Sequence, residues 1–367
     1  MKYYIISGER SGDLHASNLI KALLKIDPSA EIVGMGGDFS EKAGQKLTVH
    51  YQEIALMGFL EVILGFRKVL KYLSIVKNDI LAQKPDIVLL VDFGGFNMKI
   101  AKFAKLNGFR VHYYIPPKVW AWNQKRALKI QKYVDQVYCI LPFEVDFFKK
   151  YGVNATYVGN PLLDELNGFS PHEFFYQKNE LSYQPIIALL PGSRKQEVMN
   201  MMRIMVDMVS QFPNAQFVVA GVKNLPKVLY QLAEEAGIKV IFDQTYDLLH
   251  YSTAAIVTSG TATLETALFR VPQVVVYKTS SLSYAIAKRL ISVPYISLVN
   301  LIGEREIVKE LIQEDFNKEH LSTELNKTLS NSVYRGNMLQ GYDEIKGKIG
   351  NQEASIETAK LVLKSLS

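Results

Sequence analysis

Apolar residues fall along this chain in short runs separated by stretches of helical spacing. Runs at 3–7, 31–35, 86–91, 110–115, 136–141 and 155–159 read as strands in the first half. They are largely continuous rather than alternating, as expected of strands covered on both faces in a parallel sheet. Helix-like stretches such as HASNLIKALLKI and NMKIAKFAKLN lie between most of them. The pattern lapses over 167–185 and resumes with strands at 186–191, 215–220, 239–243, 254–259 and 273–277. From about 306 onward the chain reads as helices alone. Strands alternating with helices predict an α/β protein with two doubly wound domains facing a cleft and a helical C-terminal tail. The boundaries fall at 1–166 for the first domain, 167–184 for a linker region and 185–345 for the second domain. A last helix spans 346–367, drawn as packing back on the first domain. Packing on its own domain and exchange between subunits stay open.

A length of 367 residues suits two domains, each with its own core. With 48% apolar and 21% charged residues the composition is that of a globular protein. The one cysteine, Cys139, excludes an internal disulfide and a cysteine-cluster zinc site, and fits a reducing compartment. The first apolar run is too short for a signal peptide. The longest uncharged apolar stretch, 290–303, is interrupted by Pro294 and falls short of a membrane span. A net charge of +6 and a pI near 9.0 point weakly to acidic partners: nucleic acid, anionic lipid or phosphorylated substrates.

Open parallel sheets bind ligands at the carboxyl ends of their strands, so the turns after strands carry the candidate chemistry. In SGERSGDLHA (7–16), Gly8 and Gly12 keep the turn open and Ser11 or Asp13 can cap the next helix. Its backbone N–H groups suit an anion, though the stretch by itself reads first as a capped strand–helix turn. In LLVDFGGFN, Asp92 ends an apolar strand and is a candidate general base or a helix cap. In PPKVWAWNQKR, Trp120 and Trp122 sit beside Lys125 and Arg126, an arrangement that suits a sugar ring, a phosphate or a tryptophan core. In LLPGSRKQE, Gly192 and Ser193 let a ligand approach the backbone and Arg194 can grip a phosphate. In TSGTATLE, Ser259, Gly260, Thr261 and Thr263 open a helix near Ala262 that suits a diphosphate, and Glu265 can accept from a ribose. Metal-binding motifs and the phosphate loop of nucleotide hydrolases are missing from the sequence, so no metal and no cofactor is expected.

The stretch 57–78 carries more apolar residues than one core-facing stripe needs, together with Arg67, Lys68 and Lys71. Phe59, Ile63, Phe66, Leu70 and Leu73 are expected to contact an anionic bilayer or an acyl chain.

Taken together, SGERSGD, MGFLEV, PPKVWAWNQKR, LPFE, VGNPLLD, LLPGSRKQE, SGTATLE and ISLVNLIGEREIVKELIQE resemble the lipid-A-disaccharide synthase family, in the family's order and over nearly the whole chain. The family often has Asp-Ala-Pro-Asp-Phe-Asn where this chain has DFGGFN, which leaves Asp92 as the sole aspartate of that motif. Asn160 and Val299 stand where histidine and proline are common. The resemblance implies a two-Rossmann-domain fold of the GT-B type. It implies transfer of 2,3-diacylglucosamine from UDP-2,3-diacylglucosamine to the 6-hydroxyl of 2,3-diacylglucosamine 1-phosphate, with inversion. Asp92 would be the base and Arg194 would meet the departing UDP. Asn300, Arg305 and Glu306 match a family segment near the nucleotide. Ser11, Gly12, Asp13, the two tryptophans, Lys125 and Arg126 fall on the acceptor or sugar side. The implied setting is cytoplasmic, peripheral on the inner membrane of a Gram-negative bacterium, with no nucleic acid; a homodimer stays open. Competing readings are another UDP-sugar enzyme of this fold, such as a peptidoglycan glycosyltransferase or a 2-epimerase, and a non-catalytic nucleotide-binding module.

Overall fold

The computed structural model describes residues 1–55, 62–290 and 293–366. They form two compact units, one of Met1–Asn167 with Ile349–Ser367 and one of Gly168–Lys348.

The first unit holds a seven-stranded parallel sheet. Its strands are β1 (Lys2–Ser7), β2 (Glu31–Gly36), β3 (Lys46–His50), β4 (Ile87–Val91), β5 (Val111–Tyr114), β6 (Gln136–Cys139) and β7 (Ala155–Tyr157), in the order β3-β2-β1-β4-β5-β6-β7. Successive residues of β1 serve opposite faces, as a strand's period of two requires. Tyr3 and Ile5 pack with Leu19 and Leu23 of the helix Arg10–Ile26 and with Ala359 and Val362 of the last helix. Tyr4 and Ile6 pack with Val76 and Ile80 of the helix Val62–Gln83 and with Ile100 of the helix Gly94–Leu106. Every residue of β4 is fully buried, which is why its sequence is an unbroken apolar run. Each such Leu or Ile contributes about 1.5–3 kcal/mol.

The last helix, Ala354–Leu366, belongs to the first unit and lies against Arg10–Ile26. Asp164 ties its start, accepting from the backbone N–H of Ala354 (2.9 Å) and Ser355 (3.1 Å).

The second unit holds six parallel strands: β8 (Ile186–Leu190), β9 (Gln216–Gly221), β10 (Lys239–Phe242), β11 (Ser252–Thr258), β12 (Gln273–Tyr277) and β13 (Glu310–Ile312). Their order is β10-β9-β8-β11-β12-β13. The stretch 168–184 is part of this unit, with Phe175 fully buried beside Ile186 and Leu248.

Two strands depart from the sequence expectation. β3 and β13 were not expected, and the all-helical reading beyond 306 is corrected by β13. Both are edge strands, covered on fewer sides, so KLTVH and ELI lack the long apolar run that marks a central strand. Among the described residues no helix is long and apolar enough to cross a membrane.

Candidate active site

In each sheet the strand order reverses once, between β1 and β4 and between β8 and β11. The carboxyl ends of those strands are where open sheets receive ligands.

In the first unit the reversal is occupied by Asp92. Asp92 and Phe93 both take left-handed backbone conformations, with φ of 49° and 51°. For residues with a Cβ this costs roughly 1–2 kcal/mol each. The surroundings hold the turn: the Asp92 N–H donates to the Tyr114 carbonyl (3.2 Å), and its carbonyl accepts from the Tyr113 hydroxyl (2.7 Å) and Asn97 Nδ2 (2.8 Å). Strain of this kind, fixed by neighbours, is typical of functional turns. One glycine makes room for it: a Cβ on Gly8 would fall 2.0 Å from the Phe93 ring, whereas one on Gly12 would meet Asp92 Cβ only at an ordinary contact distance of 3.7 Å. His15 lies one turn further along the helix Arg10–Ile26. Its Nδ1 is buried without a hydrogen-bond partner, 3.9 Å from Glu165 Oε1. Burial lowers its pKa, while the negative charge of Asp92 acts in the opposite direction. A neutral imidazole therefore sits within the field of the candidate base.

Several expected acceptor-side residues serve the fold instead. Asp13 is fully buried and accepts from the backbone N–H groups of Gly37 (2.7 Å), Phe39 (3.0 Å) and Ser40 (3.2 Å), capping the helix Asp38–Lys42. Trp120 is buried; its Nε1 donates to Glu144 Oε1 at 3.0 Å, and Phe143 meets its ring edge-on. Glu144, itself buried, also accepts from the N–H groups of Ile140 and Leu141. Burial raises its pKa. Trp122, by contrast, is 45% exposed and carries the Arg126 guanidinium 4.8 Å above its ring. Ser11 and Lys125 are exposed.

Of the expected membrane contacts, Phe59 lies outside the described residues, as do the side chains of Ile63 and Phe66. Leu70 is 45% exposed. Leu73 is corrected: it is buried in the core of the first unit with Val76 and Ile80.

In the second unit, β8 ends at Leu190 and Gly192 takes φ 108°. The turn belongs to Glu197, which the sequence reading did not single out. Its Oε2 accepts from the N–H groups of Ser193 (3.0 Å) and Arg194 (3.2 Å), and its Oε1 accepts from Arg194 Nη1 (3.0 Å). A Cβ on Gly192 would collide with Glu197 Oε2 at 2.5 Å. The glycine is therefore required by the carboxylate, which already takes these two N–H groups. The Arg194 side chain is 80% exposed.

β11 ends at Thr258, and the helix Thr261–Leu268 follows, one residue earlier than expected. Gly260 and Thr261 are exposed. Ser259 Oγ donates to the Ile296 carbonyl (2.8 Å), and Thr263 turns inward, donating to the Gly260 carbonyl (2.8 Å) and accepting from the Leu298 N–H (3.3 Å). Glu265 lines a pocket of about 410 Å3 with Asp243, Asp247, Phe169, Gln244, Thr245 and Tyr246.

Asn300 is corrected as a nucleotide contact. It is fully buried, donating to the Val308 carbonyl and Glu310 Oε1 (2.9 Å each) and accepting from the N–H groups of Ile307 (2.8 Å) and Val308 (3.0 Å). Glu310, missed in the sequence, also accepts from Ile296, Ser297 and the Ser297 hydroxyl. Asn300 and Glu310 thus pin the loop that receives Ser259. Arg305 pairs with Glu344 (2.6 Å) and Glu306 with Lys309 (3.3 Å) at the surface. No group of three or more His, Cys, Asp or Glu suited to a metal occurs among the described residues.

The lipid-A-disaccharide synthetase family model matches residues 3–362. The chain belongs to that family. The lipid-A-disaccharide synthase of Geobacter metallireducens is 34% identical over 99% of this chain and 96% of its own length. That of Syntrophus aciditrophicus is 35% identical over 98% and 96%. Among solved structures, the Neisseria meningitidis UDP-GlcNAc 2-epimerase bound to UDP-GlcNAc gives a TM-score of 0.68 at 14% identity, covering 99% of this chain and all of that one. The glycotransferase of kitacinnamycin gives 0.68 at 12%, covering 100% and 99%. These two share the fold, which is of the GT-B type, and at such identity show nothing more. As a member of the synthase family the chain is an enzyme, a hexosyltransferase of lipid A biosynthesis.

Proposed function

We propose that this chain transfers 2,3-diacylglucosamine from its UDP derivative to the 6-hydroxyl of 2,3-diacylglucosamine 1-phosphate, giving the β-1′,6-linked disaccharide 1-phosphate and UDP. The family match over residues 3–362 carries this reading. The roles of residues are argued from their chemistry. Inversion needs a single displacement through an oxocarbenium-like state. Asp92 accepts the proton of the attacking 6-hydroxyl as the new C1–O bond forms. The bond from C1 to the phosphate oxygen breaks on the opposite face, and its electron pair leaves with UDP. The exposed Arg194 guanidinium meets the charge that develops on the diphosphate. The open start of the helix at Gly260 and Thr261 supplies N–H groups for the same charge. Glu265 and the aromatic walls of its pocket suit a ribose and a base. The acceptor is assigned to the first unit and the UDP-sugar to the second.

Docking on an anionic bilayer through the region 57–78 belongs to this proposal. Exposed Leu70 beside Lys68 and Lys71 supports it. Purified protein mixed with both glycolipids in EDTA should form one UDP per disaccharide. Absence of disaccharide from protein that still binds UDP would refute the acceptor or the activity.

A further inference from the structure

A pocket of about 680 Å3 lies in the first unit between the helix Gly94–Leu106 and the segment Val119–Tyr133. Five cationic side chains line it: Lys99 and Lys102 on one wall, Arg126, Lys129 and Lys132 on the other. Among the described residues no carboxylate lines it. The spacing is informative. Lys99 and Lys102, Arg126 and Lys129, and Lys129 and Lys132 each stand three apart, so like charges share a helical face, which costs folding energy. Other residues three apart in this chain pair opposite charges, as in Arg194–Glu197, Lys309–Glu306, Lys327–Glu324 and Lys360–Glu357, although Lys68 and Lys71 do not. Repeated like charge around one concavity is explained by an anion that neutralises it.

The remaining walls say what the anion is attached to. Trp122 and Leu128 are 45% and 54% exposed there, large apolar surfaces beside the charges. Arg126 is held over the Trp122 ring at 4.8 Å, which aims its planar fork. The ligand is therefore an anionic amphiphile, and the volume suits a sugar phosphate with the root of an acyl chain. Gly94 and Gly95 form another part of the lining and follow Asp92 directly after Phe93. A Cβ on Gly95 would meet nothing within 4 Å, so this rim is open.

We infer that this pocket holds the 1-phosphate of the acceptor glycolipid and the start of one of its acyl chains, leaving the sugar at the Gly94–Gly95 rim. The inference rests on the acceptor named under the proposed function. Arg126 falls inside this site, whereas Lys125 does not line it.

The test is a Lys102→Glu/Lys129→Glu variant, compared with Lys21→Glu/Lys42→Glu, which makes the same charge change at exposed positions outside the pocket. Equilibrium binding of 2,3-diacylglucosamine 1-phosphate in detergent micelles and the acceptor and donor KM values are measured for both, with melting curves to confirm folding. The pocket variant should weaken acceptor binding and raise acceptor KM by roughly tenfold or more, with donor KM unchanged. Binding of 2,3-diacylglucosamine lacking the phosphate should be equal in all proteins. Disaccharide formation with unaltered acceptor binding in the pocket variant overturns the inference and leaves the reaction standing. Phosphate-dependent binding lost in the variant, with no disaccharide from wild type, overturns the reaction and leaves the pocket. Loss of binding to phosphatidylglycerol vesicles alone, with micellar acceptor KM unchanged, makes this a membrane headgroup site and also overturns it.

Discussion

Arg194 and Glu197 show how one side chain can organise a candidate site. Glu197 satisfies two backbone donors of the turn and holds the guanidinium 3.0 Å away, so Arg194 is both oriented and exposed. An exposed pair of this kind contributes little to stability. Arg194→Ala should therefore leave the melting temperature nearly unchanged while lowering kcat by roughly 10²–10³. Steady-state kinetics beside a thermal melt check both halves. His112 makes a different prediction. Burial lowers its pKa from 6.5 to about 4, and its Nδ1 lies 2.9 Å from the Tyr138 hydroxyl. The unfolded chain takes up this proton first, so stability present above pH 6.5 is lost as pH falls towards 4. His112→Gln should flatten that part of the acid-unfolding profile in urea melts; an unchanged slope would contradict it. Asp92 and Arg194 stand out in the sequence because each lies in the turn after a strand, and Glu265 because it lies in the helix that follows one. Asp13, Trp120 and Asn300 stand in equally suggestive places, yet local sequence does not reveal which partners burial supplies. Asp13 meets Gly37, and Trp120 meets Glu144, only after the chain has folded.

Elements were more legible than side chains. Eleven strands announce themselves by apolar runs because parallel strands are covered on both faces, a condition met throughout β4 and β8. Of the four edge strands, β7 and β10 keep a readable apolar run, whereas β3 (KLTVH) and β13 (ELI) do not and escape the same reading. Capping is where elements depend on single residues. Asp13 closes the helix Asp38–Lys42 from a distance, so Asp13→Ala strands buried backbone donors at roughly 1–3 kcal/mol each. A shift in denaturation midpoint of that size, with the far-UV spectrum retained, is the expected outcome. A neutral effect would mean that water replaces the carboxylate. Leu73 illustrates the opposite limit: an apolar excess over 57–78 marks a greasy helix without telling which residues face the core.

For the whole molecule, the chain completes its first unit only at its end. Ala354, Ala359 and Val362 are fully buried in a core they share with Tyr3 and Leu19, and Asp164 anchors the start of that helix. Removing 350–367 should destabilise the first unit selectively, with earlier loss of amide-exchange protection in β1 than in β8. Uniform protection in the truncated chain would oppose that. The sequence left three placements open for this helix because an amphipathic stripe does not name the surface it covers. The family match joins these units to one activity, and the central claim is that Asp92 is the base of that activity. The direct measurement is single-turnover disaccharide formation by wild type and Asp92→Asn across pH, with saturating glycolipids. The account predicts a rate lowered by roughly 10²–10³ across the pH range, with UDP-sugar binding intact. Near-wild-type turnover in Asp92→Asn, with the pH profile unchanged, would contradict it.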